Sequence, residues 1–311
     1  HPGIHLEVAH LAETEEQIWE KLSRADVYHV SAAKDEVPLA YQVTADLLAR
    51  CPELKVVSST GSGYDTIDVA ACTAAGVLVV NQAGGNAQSV AEHTFGLLLG
   101  LTHRIAESDQ ALRSTVGLTR EGLMGNEIHG KTIGLVGLGQ IGMRVAALAK
   151  AFGLNVLAYD PYLNTEEIEA RGAKSESLER LLAQSDVVSL HCPRTPETTG
   201  MFAEAQFQSM RKGAIFISTA RGGIHDERAL YQALKSGHLA GAGLDVWDVE
   251  PPPQDNPLLS LANVIATYHT AGVTHQGRER IAQISAEQII EIAAGGKPAR
   301  MINPEVYSAV Q

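Results

Sequence analysis

Cysteine, aromatic residues and basic charge are all scarce in this chain, and each scarcity excludes something. Cysteine occurs only at positions 51, 72 and 192, far apart and odd in number. No CxxC pair exists, so neither a zinc knuckle nor a disulfide framework is indicated, and reduced thiols in a cytosol are expected. Aromatic residues make up 5% of the 311 positions against 45% hydrophobic residues overall, the balance of an ordinary soluble globular chain. Lysine and arginine total 24 against 36 acidic side chains, leaving a net charge of -12. A nucleic acid or an anionic membrane would need a basic surface, so neither is an expected partner. An anionic substrate must then be held by locally placed cations and N–H groups. No apolar run approaches the roughly 20 residues of a membrane span, and the densest, Phe95 to Leu101, is short and contains a glycine. The sequence opens at His1 without methionine or signal pattern, and a helix-like stretch soon follows (Glu13 to Leu22), so a short first strand is expected to be missing ahead of it.

What is present is a regular alternation. Ala25 to Val30, Leu54 to Ser58 and Val77 to Val80 read as strands, with helices over Thr44 to Cys51 and Asp68 to Ala75. Further strands are expected over Lys131 to Val136, Asn155 to Tyr159, Val187 to Leu190, Ala214 to Ser218, Gly241 to Val246 and Val264 to Ala266. Such alternation means βαβ units and parallel, doubly wound sheets. Val90 to Arg113 reads as one long helix, apolar on most sides, and Gly117, Gly122 and Gly125 loosen the chain after it, so a domain boundary is expected near residue 100. Gln276 to Ala294 reads as a last helix, ended by Gly295 and Gly296. At 311 residues two domains are expected.

The strand ending at Val136 runs into Gly137, Gly139 and Gly142 in GLGQIG. A helix pattern follows from Met143, then a second strand ending at Asp160, 18 residues beyond the last glycine. Alone the glycine spacing is weak; with strand, helix and acid in place it is a dinucleotide fingerprint. Gly137 permits the tight turn, Gly139 lets backbone approach a pyrophosphate, and Gly142 allows close helix–strand packing. The helix N-terminus offers free N–H groups to the diphosphate. Asp160 can accept from the adenine-ribose hydroxyls. Residues 161–165 supply no cation for a 2′-phosphate, so NAD is expected over NADP.

Three charged residues stand at or just past later strands: Arg221 in STARGG, Glu250 in GLDVWDVEPP with Asp245 ahead of it, and His269 in TYHTAG. In an open α/β sheet the C-terminal strand edge is where ligands bind. Oxidising a 2-hydroxy acid needs a base for the hydroxyl proton and a cation for the carboxylate and carbonyl. An imidazole suits the first role, a neighbouring carboxylate would orient it and favour its charged form, and a planar guanidinium suits the second. His93, His103, His129, His225, His238 and His275 form no ligand-like set, so no metal site is expected.

The segments STGSGYDTID, SVAEHTFGLLL, HGKTIGLVGLGQIG, SLHCPRTPETTG, ARGG, LDVWDVEPP and YHTAG, spread from about residue 54 to 304, resemble the D-isomer-specific 2-hydroxyacid dehydrogenase family. The resemblance implies α/β architecture with two doubly wound parallel-sheet domains: a Rossmann NAD domain, roughly 101–274, and a flavodoxin-like split substrate domain, 1–100 with 275–311. It implies a cytoplasmic enzyme that reversibly passes a hydride between NAD(H) and a small 2-hydroxy or 2-oxo acid bound between those domains. It also implies a homodimer formed through the long helix after residue 90 and its following loop. Arg221, Glu250 and His269 take the catalytic places. Gln140, Ile141 and Ala220 join the fingerprint glycines and Asp160 as cofactor contacts. His191 and Pro193 would line the adenosine side, and Asp245 the nicotinamide carboxamide. The Gly61 to Tyr64 turn would present N–H groups to the substrate carboxylate, with Ser62 and Gly63 forming an anion nest; Asn86 and Arg221 complete that substrate set.

The sequence also departs from the family. Tyr268 precedes the catalytic histidine where proline is common, so the backbone there is less fixed. Ser218 replaces the usual asparagine. Ser59 stands where phosphoglycerate dehydrogenases commonly carry arginine, which points to an unphosphorylated substrate unless Lys55 or Lys34 substitutes. D-3-phosphoglycerate dehydrogenase is the runner-up, and a non-catalytic NAD(H)-sensing interaction protein is a rival of another class. Formate dehydrogenases share the architecture but pair a glutamine with histidine, and Glu250 argues against that chemistry.

Overall fold

The computed structural model describes residues 3–114 and 119–307; Gly117 lies outside them. The chain forms two compact units, one of residues 1–86 with 274–311 and the other of residues 87–273.

The first unit runs α1 (Glu15–Leu22), β1 (Val27–Ser31), α2 (Ala45–Arg50), β2 (Val56–Thr60), α3 (Val69–Ala74) and β3 (Leu78–Val80). The strands make a parallel sheet in chain order. Helix starts are written locally: Thr14 caps α1 in a capping box with Gln17, Thr44 caps α2, and Asp68 caps α3. Ile18, Trp19, Leu22, Leu47, Leu48, Val57, Cys72 and Val79 form the core of this unit.

The second unit opens with α4 (Ala87–Thr102) and α5 (Ile105–Ser114), then alternates β4 (Thr132–Val136), α6 (Gln140–Ala151), β5 (Asn155–Tyr159), α7 (Thr165–Ala170), β6 (Lys174–Ser175), α8 (Leu178–Gln184), β7 (Val187–Leu190), α9 (Glu204–Ser209), β8 (Ile215–Ser218), α10 (Glu227–Lys235), β9 (Gly241–Leu244) and β10 (Val264–Ala266). The seven strands are parallel in the order β10-β9-β8-β7-β4-β5-β6, so chain order reverses between β4 and β7. This is the doubly wound sheet the alternation implies. Both faces are covered, which is why its strands read as continuous apolar runs. Phe216 on β8 points into one core with Phe202, Phe207 and Leu244. The adjacent Ile217 points into the other, with Phe95, Leu98, Ile133 and Leu135. The last helix, α11 (His275–Ala293), belongs to the first unit, where Ile292 packs on Val56, Leu78 and Val80.

Two sequence expectations shift. The division falls at residue 86 rather than near 100, because α4 is a core helix of the second sheet: Leu97 lies so close to Gly243 that a Cβ there would stand 2.9 Å from its own. The single long helix from Val90 to Arg113 is two helices, broken at Arg104, whose φ is +53°. The Arg104 guanidinium holds the break by bonding Glu107 and the Gly122 carbonyl.

Candidate active site

Every candidate residue of the second unit sits after the C-terminal end of a parallel strand. The glycine turn follows β4, Asp160 follows β5, His191 follows β7, Arg221 follows β8, Asp245 and Glu250 follow β9, and His269 follows β10.

The glycine turn is built by close backbone approach. Gly137 has φ +92°, and a Cβ on Gly142 would stand 2.3 Å from the Gly137 carbonyl oxygen. Gly139 is the N-cap of α6, with no side chain capping it, and a Cβ there would meet nothing within 4 Å. Open space over an uncapped helix start fits the diphosphate of a dinucleotide. The His191 backbone lies against the same turn, and its buried Nδ1, without a partner among the described residues, also fits a nearby ligand. Burial lowers the His191 pKa to about 3, so its ring is neutral. Asp160 accepts from Leu138 N–H at 2.9 Å and from Tyr162 N–H at 3.1 Å. Arg171, at the end of α7, donates to the Leu138 carbonyl at 2.8 Å. This cation next to the turn could not be found from residues 161–165, because it arrives through the fold.

His269 and Glu250 form the acid–base pair. His269 Nδ1 lies 2.7 Å from Glu250 Oε2, and Glu250 Oε1 accepts from Trp247 N–H at 3.0 Å. A carboxylate only accepts, so Nδ1 carries the hydrogen and Nε2 is the nitrogen left for a substrate. The bond to Glu250 raises the His269 pKa above its ordinary value, against the opposing effect of burial. Burial pushes the Glu250 carboxyl up, but His269 and the Trp247 amide outweigh it and hold it below the usual range. The Arg221 charge adds a smaller lowering to both pKa values. Arg221 Nη1 also donates to the Ala220 carbonyl at 2.7 Å. The loops that carry Arg221 and Glu250 touch: a Cβ on Gly222 would stand 1.8 Å from the Trp247 carbonyl oxygen, so only glycine fits there.

Asp245, just past β9, is buried. Oδ1 accepts from the Thr267 hydroxyl at 2.6 Å and from Thr270 N–H at 2.8 Å, and Oδ2 from Ala271 N–H at 2.9 Å. The residue braces the loop that bears His269, which itself sits at φ +49°. Tyr268, in place of proline, is 64% exposed, and the loop is fixed from its flanks instead.

In the first unit, Gly61 turns at φ +84°. Its N–H is not available to a substrate, because it donates to Gln82 Oε1 at 2.8 Å while the Gln82 N–H donates to its carbonyl at 2.7 Å. Asn81 donates to the Ser62 carbonyl, and the Ser59 hydroxyl to that of Gly63. The N–H groups of Ser62 and Gly63 have no acceptor among the described residues. The Ser62 hydroxyl donates to Asn86 Oδ1 at 3.4 Å. Lys55, an alternative phosphate ligand, pairs with Asp26 at 2.7 Å. Sequence reasoning missed Gln82, whose role depends on contacts 21 residues away.

Comparison with known proteins agrees with this geometry. Residues 95–271 match the family model of the D-isomer specific 2-hydroxyacid dehydrogenase, NAD binding domain. A D-3-phosphoglycerate dehydrogenase of Archaeoglobus fulgidus is 43% identical over 254 residues, 82% of this chain and 48% of that protein. A glyoxylate reductase of Korarchaeum cryptofilum is 39% identical over 267 residues, 85% of this chain and 80% of its own. The chain thus spans about half the length of the phosphoglycerate dehydrogenase but most of the reductase. Among solved structures, D-lactate dehydrogenase of Aquifex aeolicus, complexed with NAD and lactic acid, superposes with a TM-score of 0.80 at 31% identity, covering 91% of this chain and 88% of that one. The chain belongs to the D-isomer-specific 2-hydroxyacid dehydrogenase family, and its second unit is the NAD(P)-binding Rossmann domain.

Proposed function

We propose that this chain is an NAD-dependent D-2-hydroxyacid dehydrogenase acting on a small, unphosphorylated 2-hydroxy or 2-oxo acid such as glyoxylate or hydroxypyruvate. The observation that carries the reading is the 2.7 Å His269–Glu250 contact at the C-terminal strand edge that also bears Arg221. Bound NAD(H) supplies or accepts the hydride. Arg221 pairs with the substrate carboxylate and polarises its carbonyl. His269, with Nδ1 committed to Glu250, gives a proton from Nε2 to the developing alkoxide in reduction and takes one in oxidation. Glu250 keeps that imidazole charged to higher pH, which suits the reductive direction. Ser62, Gly63 and Asn86 of the first unit hold the substrate carboxylate, which makes that unit the substrate domain. Asp160 disfavours a 2′-phosphate, and NAD is the preferred cofactor.

A phosphorylated substrate is the second reading, favoured by the 43% identical phosphoglycerate dehydrogenase. Against it, Ser59 is buried on the Gly63 carbonyl and Lys55 is paired. The chain works in a reducing cytoplasm, which suits its three free thiols, and as a homodimer through α5, whose Ile105 and Leu112 are exposed. Sedimentation analysis tests the dimer. The function is tested by mixing protein, NADH or NADPH, and a panel of 2-oxo acids, then ranking kcat/KM by loss of absorbance. Turnover best with a phosphorylated acid selects the second reading, and no turnover with any acid selects a sensing protein.

A further inference from the structure

The left-handed backbone of His269, at φ +49°, is strained for a non-glycine residue. The loop must therefore be held by its neighbours, and the hold is Asp245, which grips the peptides of Thr270 and Ala271 just beyond the histidine. The grip continues to helix α4. His93 Nε2 lies 3.0 Å from Thr267 Oγ1, which lies 2.6 Å from Asp245 Oδ1; His93 Nε2 is itself 3.6 Å from that oxygen.

Counting protons gives this chain one direction. A hydroxyl has a single hydrogen, and a carboxylate can only accept. Thr267 must donate to Asp245, since two lone pairs facing across 2.6 Å would repel. Its oxygen then accepts from His93, whose Nε2 carries the hydrogen. The path runs from His93 Nε2–H through the Thr267 hydroxyl to Asp245 Oδ1. Around it the Trp247 indole donates to the Thr267 carbonyl at 3.0 Å, and Thr267 N–H to the Leu244 carbonyl at 2.9 Å. His93 is 25% exposed, and its remaining ring nitrogen takes no part in the path.

We propose that His93 is a positioning residue for the acid–base imidazole: by donating to Thr267 it fixes which way that hydroxyl points, and so the grip of Asp245 on the loop that aims His269. This rests on the reading of His269 as the acid–base group. His93 touches neither substrate nor cofactor in this scheme, and its effect reaches the chemistry only through the loop.

The test compares His93→Leu, which removes the donor, with His93→Gln, whose amide places an N–H near the same point, and Thr267→Val with Thr267→Ser. Two quantities are measured: turnover, and the titration of His269 followed by NMR of its ring. Loss of the donor should lower kcat by about 10- to 100-fold, by analogy with the loss of groups that orient metal ligands, with NADH affinity unchanged. The His269 titration should move toward lower pH as its contact with Glu250 loosens. His93→Gln and Thr267→Ser should recover most of both, and the His93→Leu/Thr267→Val pair should be no worse than either single variant. Equal defects in His93→Leu and His93→Gln, additive losses in the pair, or a His269 titration that does not move would overturn the proposal. If His93→Leu does not fold, Thr267→Val against Thr267→Ser decides alone. If the wild-type protein turns over no 2-oxo acid while the titration still moves, the catalytic reading fails and the positioning claim stands.

Discussion

The two glycine turns of this protein are shaped by different means. Gly137–Gly142 is shaped by close backbone packing, with Gly142 against the Gly137 carbonyl, while the Asp160 and Arg171 side chains hold Leu138 from outside. Gly61–Gly63 is held by polar bonds: the Gln82 side chain on the Gly61 N–H, the Gln82 backbone N–H on the Gly61 carbonyl, Asn81 on Ser62 and Ser59 on Gly63. A turn whose close backbone packing demands glycines announces itself by spacing, whereas one shaped only by polar bonds looks like any tight turn. The loop at His269 is of the second kind, braced by Asp245 from across β9 and β10.

Substitutions at these places should separate chemistry from cradle, and the largest effect belongs to the chemistry. His269→Ala should lower kcat by about 10²- to 10⁴-fold, the range for loss of a positioned general acid, while NADH binding followed by fluorescence is retained. A variant keeping wild-type kcat would remove His269 from the mechanism. Glu250→Gln should cost about 10²-fold through the same residue, and it adds a pH signature. The reductive reaction needs His269 charged, so kcat/KM falls as pH rises through its pKa. Glu250 raises that pKa, so the falling limb should move to lower pH in the glutamine variant. A limb that stays in place would show that another group titrates.

Gly142→Ala tests the backbone-held turn. An alanine Cβ 2.3 Å from the Gly137 oxygen must push helix α6 away, at the 1–3 kcal/mol typical of overpacking. NADH affinity should weaken by about 10- to 100-fold, with substrate KM at saturating cofactor little changed. Gln82→Leu tests the side-chain-held turn. It leaves the buried Gly61 N–H without its acceptor, and the nest loses its fixed form. KM for the 2-oxo acid should rise by about tenfold, or 1.4 kcal/mol, with NADH affinity untouched. If Gln82→Leu weakened the nucleotide instead, the division of labour between the two turns would be wrong.

How much of this was legible follows the same line. Strand ends were readable because buried parallel strands are apolar runs between turn residues, and the doubly wound order follows from their alternation with helices. Arg221, Glu250 and His269 were singled out because each stands just past such a strand, and the structure brings the last two into contact. The break at Arg104 was not, since neither glycine nor proline marks it and the guanidinium bonds that hold it come from residues 107 and 122. The grip of Asp245 on the His269 loop was not readable either, since its donors lie 22 to 26 residues later. His93 looked like an ordinary helix histidine, because its partner Thr267 is 174 residues away. What sequence hides here is the long-range polar bond.

Tyr268 gives the smallest and most discriminating effect. If the aim of His269 depended on a stiff preceding residue, tyrosine in place of proline would leave the imidazole loose, and Tyr268→Pro would raise kcat. The structure puts the constraint elsewhere: Thr267 is pinned at both its amide and its carbonyl, and Thr270 and Ala271 are pinned by Asp245. Tyr268 is 64% exposed and its N–H holds no acceptor among the described residues, so proline removes no bond. Tyr268→Pro should therefore leave kcat within about twofold and add about 0.4–1 kcal/mol of stability in thermal unfolding by restricting the unfolded chain. A tenfold gain in kcat would mean that the side-chain brace is slack and that the backbone does the aiming after all.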